Sequence, residues 1–145
     1  MKTLPCLFVA IAVAATAQAA DYASLPGGTF ASALPADANN ADVKLAPFRL
    51  RREPVTNAEF LAFVKAHPQW RRDQVARIFA EPRYLQGWAA ADRLGDEVKP
   101  EQPVTEVSWF AAQAFCASEG ARLPSWNEWE FAAAADATRA DARSD

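Results

Sequence analysis

The sequence is poor in the residues that build metal centres and nucleophilic sites. Its 145 residues include one histidine, His67, and two cysteines, Cys6 and Cys116. It has no G-x-S-x-G segment that could form the nucleophile elbow of a serine hydrolase. His67 stands alone and directly precedes Pro68, so we interpret it as a surface turn residue rather than a ligand or a base.

Clusters of positive charge are also missing. The formal net charge is -3, and the longest basic runs are the pairs Arg51-Arg52 and Arg71-Arg72. Non-specific binding to nucleic acid requires several phosphates to be neutralised, and anionic membrane surfaces attract similar basic clusters. We therefore expect neither nucleic acid nor a membrane surface as a partner.

The N-terminal residues have the pattern of a secretory signal peptide. Lys2 supplies a positive charge, residues 7–15 are apolar, and residues 17–19 read Ala-Gln-Ala. This pattern predicts a signal peptide over residues 1–19, cut after Ala19, and a periplasmic or secreted protein. The apolar run is too short to span a bilayer. Cys6 lies near its start rather than its end, so we predict no lipid anchor.

Removal of the signal peptide would leave Cys116 as the single cysteine of the mature chain. A single cysteine in an exported protein suggests a free buried thiol, an intermolecular disulfide, or a partner missing from the chain. Its position on the inner face of a predicted helix favours a small core residue over a nucleophile.

Two helices have clear start and stop signals. Thr56 and Glu59 form a capping box that predicts a helix over residues 57–66, which His67 and Pro68 end. Ser108 is the predicted N-cap of a second helix over residues 109–119, and Gly120 is placed to end it in a left-handed conformation. The predicted inner face of this second helix carries Ala111, Ala112, Phe115 and Cys116.

A third helix is predicted after Pro124. Ser125 and Glu128 form another capping box. The helical spacing of Trp126, Trp129 and Ala133 predicts that these three residues form one buried stripe. Glu128 and Glu130 are two residues apart and point to different sides of the helix, which argues against a general acid/base pair.

The remaining segments predict short strands and loops. Residues 26–30 read as a turn into a strand, residues 43–50 as a strand interrupted at Pro47, and residues 104–107 as a brief strand. We expect an exposed loop over residues 36–41, aromatic side chains packed under a long loop over residues 69–95, a charged loop over residues 92–102, and a polar stretch after Ala135.

Four segments together resemble the formylglycine-generating enzyme family, also called sulfatase-modifying factors. Residues 104–109 and 122–130 carry its most distinctive patterns, and residues 26–30 and 53–60 resemble its opening elements in the right order. The resemblance implies an α+β, lectin-like fold with little regular secondary structure. It assigns residues 20–145 to the N-terminal part of such a domain, and we expect the chain to be truncated.

Several positions depart from the family pattern. Ser125 replaces a threonine and preserves the cap, whereas Trp126 and Asn127 replace Glu-Ala. Ala111 replaces an aspartate, and Phe115 replaces the tyrosine before the cysteine. These changes move away from the central enzymes of the family. Residues 70–72 and 84–88 look more like its bacterial periplasmic relatives.

The resemblance assigns no catalytic, cofactor-binding or metal-binding residue to this chain. In the family, two copper(I)-binding cysteines and the calcium ligands follow the segment that matches residues 122–130. Cys116 matches the structural cysteine instead. Copper and calcium would therefore be implied only by a C-terminal half.

These observations leave two functions open. One is a periplasmic maturation or binding module that acts on a protein or peptide and is inactive as this fragment. The alternative is the N-terminal half of a copper-dependent oxidase that converts a substrate cysteine to formylglycine. The sulfoxide synthases of thiohistidine synthesis share this domain but need iron-binding histidines from a partner domain, and the lone His67 makes that function a poor fit.

Overall fold

The computed structural model describes residues 21–33, 35 and 42–134. The predicted signal peptide, the predicted loop at residues 36–41 and the polar stretch after Ala135 lie outside these residues. The described elements, in chain order, are the strands β1 (Tyr22–Leu25), β2 (Gly28–Ala31), β3 (Asp42–Leu45) and β4 (Phe48–Arg51), helix α1 (Asn57–Ala66), a 3-10 turn (Pro68–Trp70), and helices α2 (Trp109–Ser118) and α3 (Trp126–Ala134).

The four strands form two antiparallel pairs, β1 with β4 and β2 with β3. The predicted strand at residues 43–50 is two strands, because the chain leaves one pair and enters the other at Ala46 and Pro47. Gly27 has φ +67°, and a Cβ atom there would lie 2.5 Å from the Leu45 carbonyl oxygen. The turn between β1 and β2 therefore requires glycine. Strand β1 was not predicted.

Helix α1 begins and ends as predicted. The Thr56 side chain accepts from the Glu59 amide, and the Glu59 carboxylate accepts from the Thr56 amide. His67 follows the last helical residue, its amide donates to the Phe63 carbonyl, and its ring lies 4.9 Å from that of Phe63. The structure thus confirms the capping box and the proline stop.

The structure confirms the helix predicted over residues 109–119, and α2 ends one residue earlier, at Ser118. Ser108 Oγ accepts from the Ala111 amide, and Gly120 adopts φ +69° just after the helix. Ala111 and Phe115 are buried, and Cys116 is half-buried against the core.

The hydrophobic core lies between α1, α2 and the loop that joins the 3-10 turn to α2. Phe60 contacts the rings of Phe63, Trp88 and Phe115 at centroid distances of 5.3–6.3 Å. The loop contributes three buried residues, as predicted for aromatic side chains under a long loop: Tyr84, Leu85 and Trp88. The buried hydroxyl of Tyr84 donates to the Trp70 carbonyl at 2.7 Å, and burial raises its pKa above the ordinary value.

The predicted strand at residues 104–107 is wrong. Pro103 forms one isolated bridge with Thr56, and the Val104 amide donates to the Val55 carbonyl. Glu106 then adopts φ +57°, which is incompatible with an extended strand. Its carbonyl accepts from the Leu85 amide, so the segment holds the core loop in place instead of extending a sheet.

The predicted buried stripe on α3 is also wrong. Trp126 and Trp129 are each 57% exposed, and Ala133 is exposed as well. Phe131 instead turns inward, with its ring 5.6 Å from Phe30 of β2 and 6.1 Å from Phe48 of β4. Since Phe131 and the buried Glu128 share the inner face, the face that carries both tryptophans points outward.

Candidate functional site

A cleft of about 690 Å³ lies between β4 and the adjacent ends of α2 and α3. Arg49 and Arg51 line one side, Cys116 and Glu119 the end of α2, and Trp129 the start of α3. This cleft is the candidate functional site.

Arg51 lines the cleft and links β4 to helices α1 and α2. It donates to the carboxylate of Glu59 in the first turn of α1, and its Nη1 atom lies 3.6 Å from Glu119 Oε2 at the end of α2. Burial acts to raise the pKa of Glu59, but hydrogen bonds from Thr56 and Arg51 outweigh it and leave that pKa below its ordinary value. The Glu59 carboxylate is therefore ionised, and its oxygen atoms accept structural hydrogen bonds from Thr56 and Arg51.

A second charged pair fixes the start of α3. Arg122 binds Glu128 in a bidentate arrangement, with N–O distances of 2.6 and 2.7 Å. The Ser125 amide also donates to Glu128 at 2.8 Å, and the Glu128 amide donates back to Ser125 Oγ. The bonds from Arg122 and Ser125 lower the pKa of Glu128 to about 2. The capping box predicted at Ser125 is confirmed, and Arg122 is an additional partner.

The two glutamates of α3 have separate structural tasks, as their spacing predicted. Glu130 accepts from Ser32 Oγ at 2.7 Å and from the Ala33 amide, which ties α3 to the segment after β2. Glu128 instead serves the N-terminal turn of its own helix. The two carboxylates act on different parts of the molecule.

Cys116 lies in the wall of the cleft but has the environment of a structural thiol. Burial and the neighbouring Glu119 raise its pKa, which keeps the sulfur protonated and weakly nucleophilic. It packs against the hydrophobic core. The predicted contact with the core is confirmed, and the side chain is half-buried at the edge of that core.

A smaller cleft of about 330 Å³ lies beside Asn57 and Trp88. Asn57 accepts from Trp88 Nε1 at 3.3 Å and donates from Nδ2 to the carbonyls of Lys99 and Gln102, both at 3.0 Å. Because these bonds occupy the buried amide on both sides, Asn57 acts as a structural link between α1 and the loop before α2.

Sequence reasoning did not find the groups that organise the cleft. Arg51 lay in a basic pair, Glu119 at a helix end, and Arg122 before a proline-containing turn. Arg51 and Glu119 belong to no short motif with a fixed spacing, and their interaction depends on how β4 and α2 pack, whereas Arg122 begins the family segment at residues 122–130. One local signal was present: Arg122 lies six residues before the capping-box glutamate that it binds.

Comparison with known proteins identifies the family. A model of the Sulfatase-modifying factor enzyme 1-like domain matches residues 9–143. The chain belongs to this family. The resemblance derived from the four sequence segments is thereby confirmed, and so is a mixed fold of helices and strands with little regular structure.

Relatives within the sulfatase-modifying factor family carry different names. Hercynine oxygenase of Mycobacterium tuberculosis is 34% identical over 106 residues, which cover 65% of this chain and 25% of that protein. Formylglycine-generating enzyme of Thermomonospora curvata is 30% identical over 143 residues, with 76% and 47% covered. Inactive C-alpha-formylglycine-generating enzyme 2 of Bos taurus is 30% identical over 148 residues, with 80% and 49% covered. The chain thus spans between a quarter and half of these relatives.

The described residues of this family member do not fit a copper(I) site built from two cysteines. Within residues 21–33, 35 and 42–134, Cys116 is the single thiol, and it is held protonated against the core. No group of three histidine, cysteine, aspartate or glutamate residues in the same part of the chain could hold a metal ion. No helix in this part is long and apolar enough to cross a membrane.

Proposed function

We propose that this protein is a periplasmic member of the formylglycine-generating enzyme-like family that binds a protein or peptide and serves as a maturation or binding module. The observation that carries this proposal is that several ionisable groups in and beside the cleft are engaged in structural contacts. Arg51 joins Glu59 and Glu119, Arg122 joins Glu128, and the Cys116 thiol is protonated. A cleft built this way favours binding over proton transfer or nucleophilic attack.

The lining of the cleft supports a polypeptide ligand. It is mainly apolar and includes several arginine and glutamate residues. Ligand sites generally combine an apolar lining with a few polar groups that fix orientation. Relatives named as inactive enzymes lie at the same level of identity as relatives named as active ones, so both roles occur on related chains.

The periplasmic location rests on the predicted signal peptide of residues 1–19. N-terminal sequencing and the intact mass of the protein made from its native gene test this directly. We expect a mature chain that begins at Ala20 and lies in the periplasmic fraction. Retention of residues 1–19 in that fraction would contradict the predicted cleavage.

The role of binding module is tested by two assays on the purified protein. In the first, an array of random peptides is probed with the labelled protein, and we expect a defined subset to bind. In the second, a cysteine-containing peptide is incubated with the protein, copper(I) and oxygen, and an aldehyde-reactive probe reports formylglycine. We expect no aldehyde above the protein-free level.

The alternative function is the oxidase itself, with this chain as its N-terminal half. Relatives named formylglycine-generating enzyme at 30% identity over more than 140 residues favour it. A product of the native gene with an intact mass about twice that of this chain, together with copper-dependent aldehyde formation by that longer product, would establish this alternative and overturn the binding module. Failure of the array to yield any bound peptide would also count against the binding module.

A further inference from the structure

Three main-chain carbonyl groups in the loop between the 3-10 turn and α2 converge on one side chain. The Nη1 atom of Arg72 donates to the carbonyl oxygens of Leu85, Trp88 and Gln86, at 2.8, 3.1 and 3.4 Å. These partners lie 13 to 16 residues further along the chain, so the contact is set by the path of the loop. Carbonyl oxygens that point at one position are a ligand set that metal cations use in proteins. A guanidinium nitrogen fills that position here.

The charge of Arg72 is balanced by these carbonyl dipoles and not by a carboxylate. Among the ion pairs of the described residues none includes Arg72, whereas its neighbour Arg71 pairs with Asp73. A guanidinium group has five N–H donors, no acceptor, and a charge that it does not lose in proteins. Hydrogen bonds from such a charged donor are stronger than those between neutral groups. One cation therefore satisfies three carbonyl oxygens that face the same space.

The turn that presents these carbonyl groups has an unfavourable backbone conformation. Leu85 is 1% exposed and has φ +50°, in the left-handed region that is costly for a residue with a Cβ atom. Its amide donates to the carbonyl of Glu106, which has φ +57°. Conformations of this kind persist only where the surrounding contacts enforce them. The bond to Glu106 holds the amide side of Leu85, and Arg72 holds its carbonyl side.

The same turn supplies the contribution of this loop to the hydrophobic core. Tyr84, Leu85 and Trp88 are all buried there. The ring of Trp88 lies 6.3 Å from that of Phe60, and its indole N–H donates to Asn57 in α1. Release of the turn would therefore withdraw three core side chains together.

We propose that the carbonyl groups of Leu85, Gln86 and Trp88 form a cation-binding cradle. Arg72 occupies this cradle as a cation tethered to the chain and thereby holds residues 84–88 against the core. Once Arg72 is removed, the cradle takes a free cation of the same chemistry, a small alkylguanidinium. The proposal is independent of the peptide-binding function, because none of these residues lines the 690 Å³ cleft.

Amide hydrogen exchange of the full chain, followed by NMR, tests the role of the cation. Arg72→Met keeps an apolar stem without charge or donors, whereas Arg72→Lys keeps a charged nitrogen with three donors. We expect the amides of Leu85 and Trp88 to exchange at least about tenfold faster in Arg72→Met, and within about threefold of wild type in Arg72→Lys. Arg71→Met, which breaks only an ion pair near the surface, should change either rate less than about twofold.

The comparison of the methionine and lysine variants decides between a cation and simple packing. Equal exchange rates in Arg72→Met and Arg72→Lys would show that the stem of the side chain is what matters, and would overturn the proposal. If Arg72→Met does not fold, Arg72→Lys is decisive. A folded lysine variant with exchange close to wild type supports the cradle, and a lysine variant that also fails to fold overturns it.

Chemical rescue tests whether the cradle binds a free cation. In Arg72→Ala, methylguanidinium at about 20 mM should raise the Tm by at least about 3 °C, because a ligand that binds only the folded chain stabilises it. The Tm of wild type and of Arg71→Ala should change by less than about 1 °C under the same conditions. Tetramethylammonium at the same concentration carries the charge but no N–H donor, and should not rescue. An equal effect of the two ions, or no effect of methylguanidinium that is specific to Arg72→Ala, would overturn the proposal.

Discussion

Helices α1 and α3 both begin with a capping box, but they differ in which side chains they bury. Thr56 with Glu59 and Ser125 with Glu128 form equivalent capping boxes. Helix α1 then buries its aromatic residues, and Phe60 is 1% exposed. Helix α3 leaves both of its tryptophans outside and buries Glu128. A capping box thus determines where a helix starts, whereas tertiary contacts determine which face turns inward.

The physical difference lies in what each helix packs against. Helix α1 lies on α2 and the core loop, which together present Phe115 and Trp88 to Phe60. Helix α3 lies on the two small sheets, where Phe131 fills the space between Phe30 and Phe48. Phe131 and Glu130 hold α3 against the strands and Glu128 stabilises its first turn, whereas a continuous apolar cluster packs around α1.

The largest expected change in the free energy of unfolding comes from a substitution in α1. Phe60→Ala should lower the free energy of unfolding by about 3–5 kcal/mol, because the side chain is fully buried and the surrounding rings cannot close the cavity. Urea denaturation monitored by circular dichroism measures the change. Phe60→Leu, which keeps most of the volume, is the control and should lose less. A loss below about 1 kcal/mol for Phe60→Ala would contradict the packing described for the core.

The second effect depends on pH and concerns α3. The pKa of Glu128 is lowered from 4.5 to about 2 in the folded chain, so the unfolded chain binds more protons as the pH falls through this range. The stability that Glu128 contributes is complete above its unfolded pKa and is lost as the pH falls from about 5 to about 2. Because Arg122 is largely exposed, we expect a contribution on the order of 2 kcal/mol.

Glu128→Gln tests this contribution through urea denaturation at pH 7 and at pH 3. The variant should be less stable than the wild type at pH 7, and the difference should shrink at pH 3. Glu53→Gln, which changes an exposed glutamate, should have an effect below about 0.5 kcal/mol at both pH values. A difference between Glu128→Gln and wild type that stays constant with pH would show that the carboxylate does not stabilise the fold through its charge.

These two regions also show how far the sequence predicts the fold. The bounds of α1, the cap of α2 and the cap of α3 follow from local rules, because a capping side chain contacts a backbone amide two or three residues away. The inner face of α3 does not follow from the sequence of the helix, since Phe131 is selected by Phe30 and Phe48, which are more than 80 residues distant. The wrong prediction of a strand at residues 104–107 also reflects a contact between distant residues. Glu106 adopts a left-handed conformation, and its carbonyl accepts from the Leu85 amide.

The candidate site was less predictable than the fold. The family resemblance carried no catalytic residue over to this chain, and nothing in the sequence indicated where the cleft lies. The positions of Arg51 and Glu119 depend on a strand and a helix end that are 68 residues apart in the chain and are brought together by packing on the core. Cys116 was correctly placed against the core because it lies four residues after Ala112, on the face that helical spacing turns inward.

A third prediction compares the two capping boxes directly. Thr56→Ala and Ser125→Ala should each lower the free energy of unfolding by about 1 kcal/mol, because each removes a hydrogen bond to an otherwise unpaired helix amide. Similar losses are expected despite the different burial of the two helices, since the cap acts locally. Thr56→Ser and Ser125→Thr retain the hydroxyl and should recover most of the stability. Losses that differ by more than about 1 kcal/mol would show that the packing of the helix modifies the value of its cap.

The smallest expected effect concerns the outer face of α3. Trp126→Ala and Trp129→Ala should each change the free energy of unfolding by no more than about 0.5 kcal/mol, because more than half of each side chain is already in water. Urea denaturation of the two variants measures this change. Phe131→Ala is the control: it removes the inward aromatic residue of the same helix and should lower the free energy of unfolding several times more.

The contrast in burial between α1 and α3 depends on this result. A loss above about 2 kcal/mol for either tryptophan would mean that another surface covers this face in solution, since an exposed side chain has too few contacts to contribute that much. The difference in burial between the two helices would then hold for the isolated chain but not for the chain in an assembly.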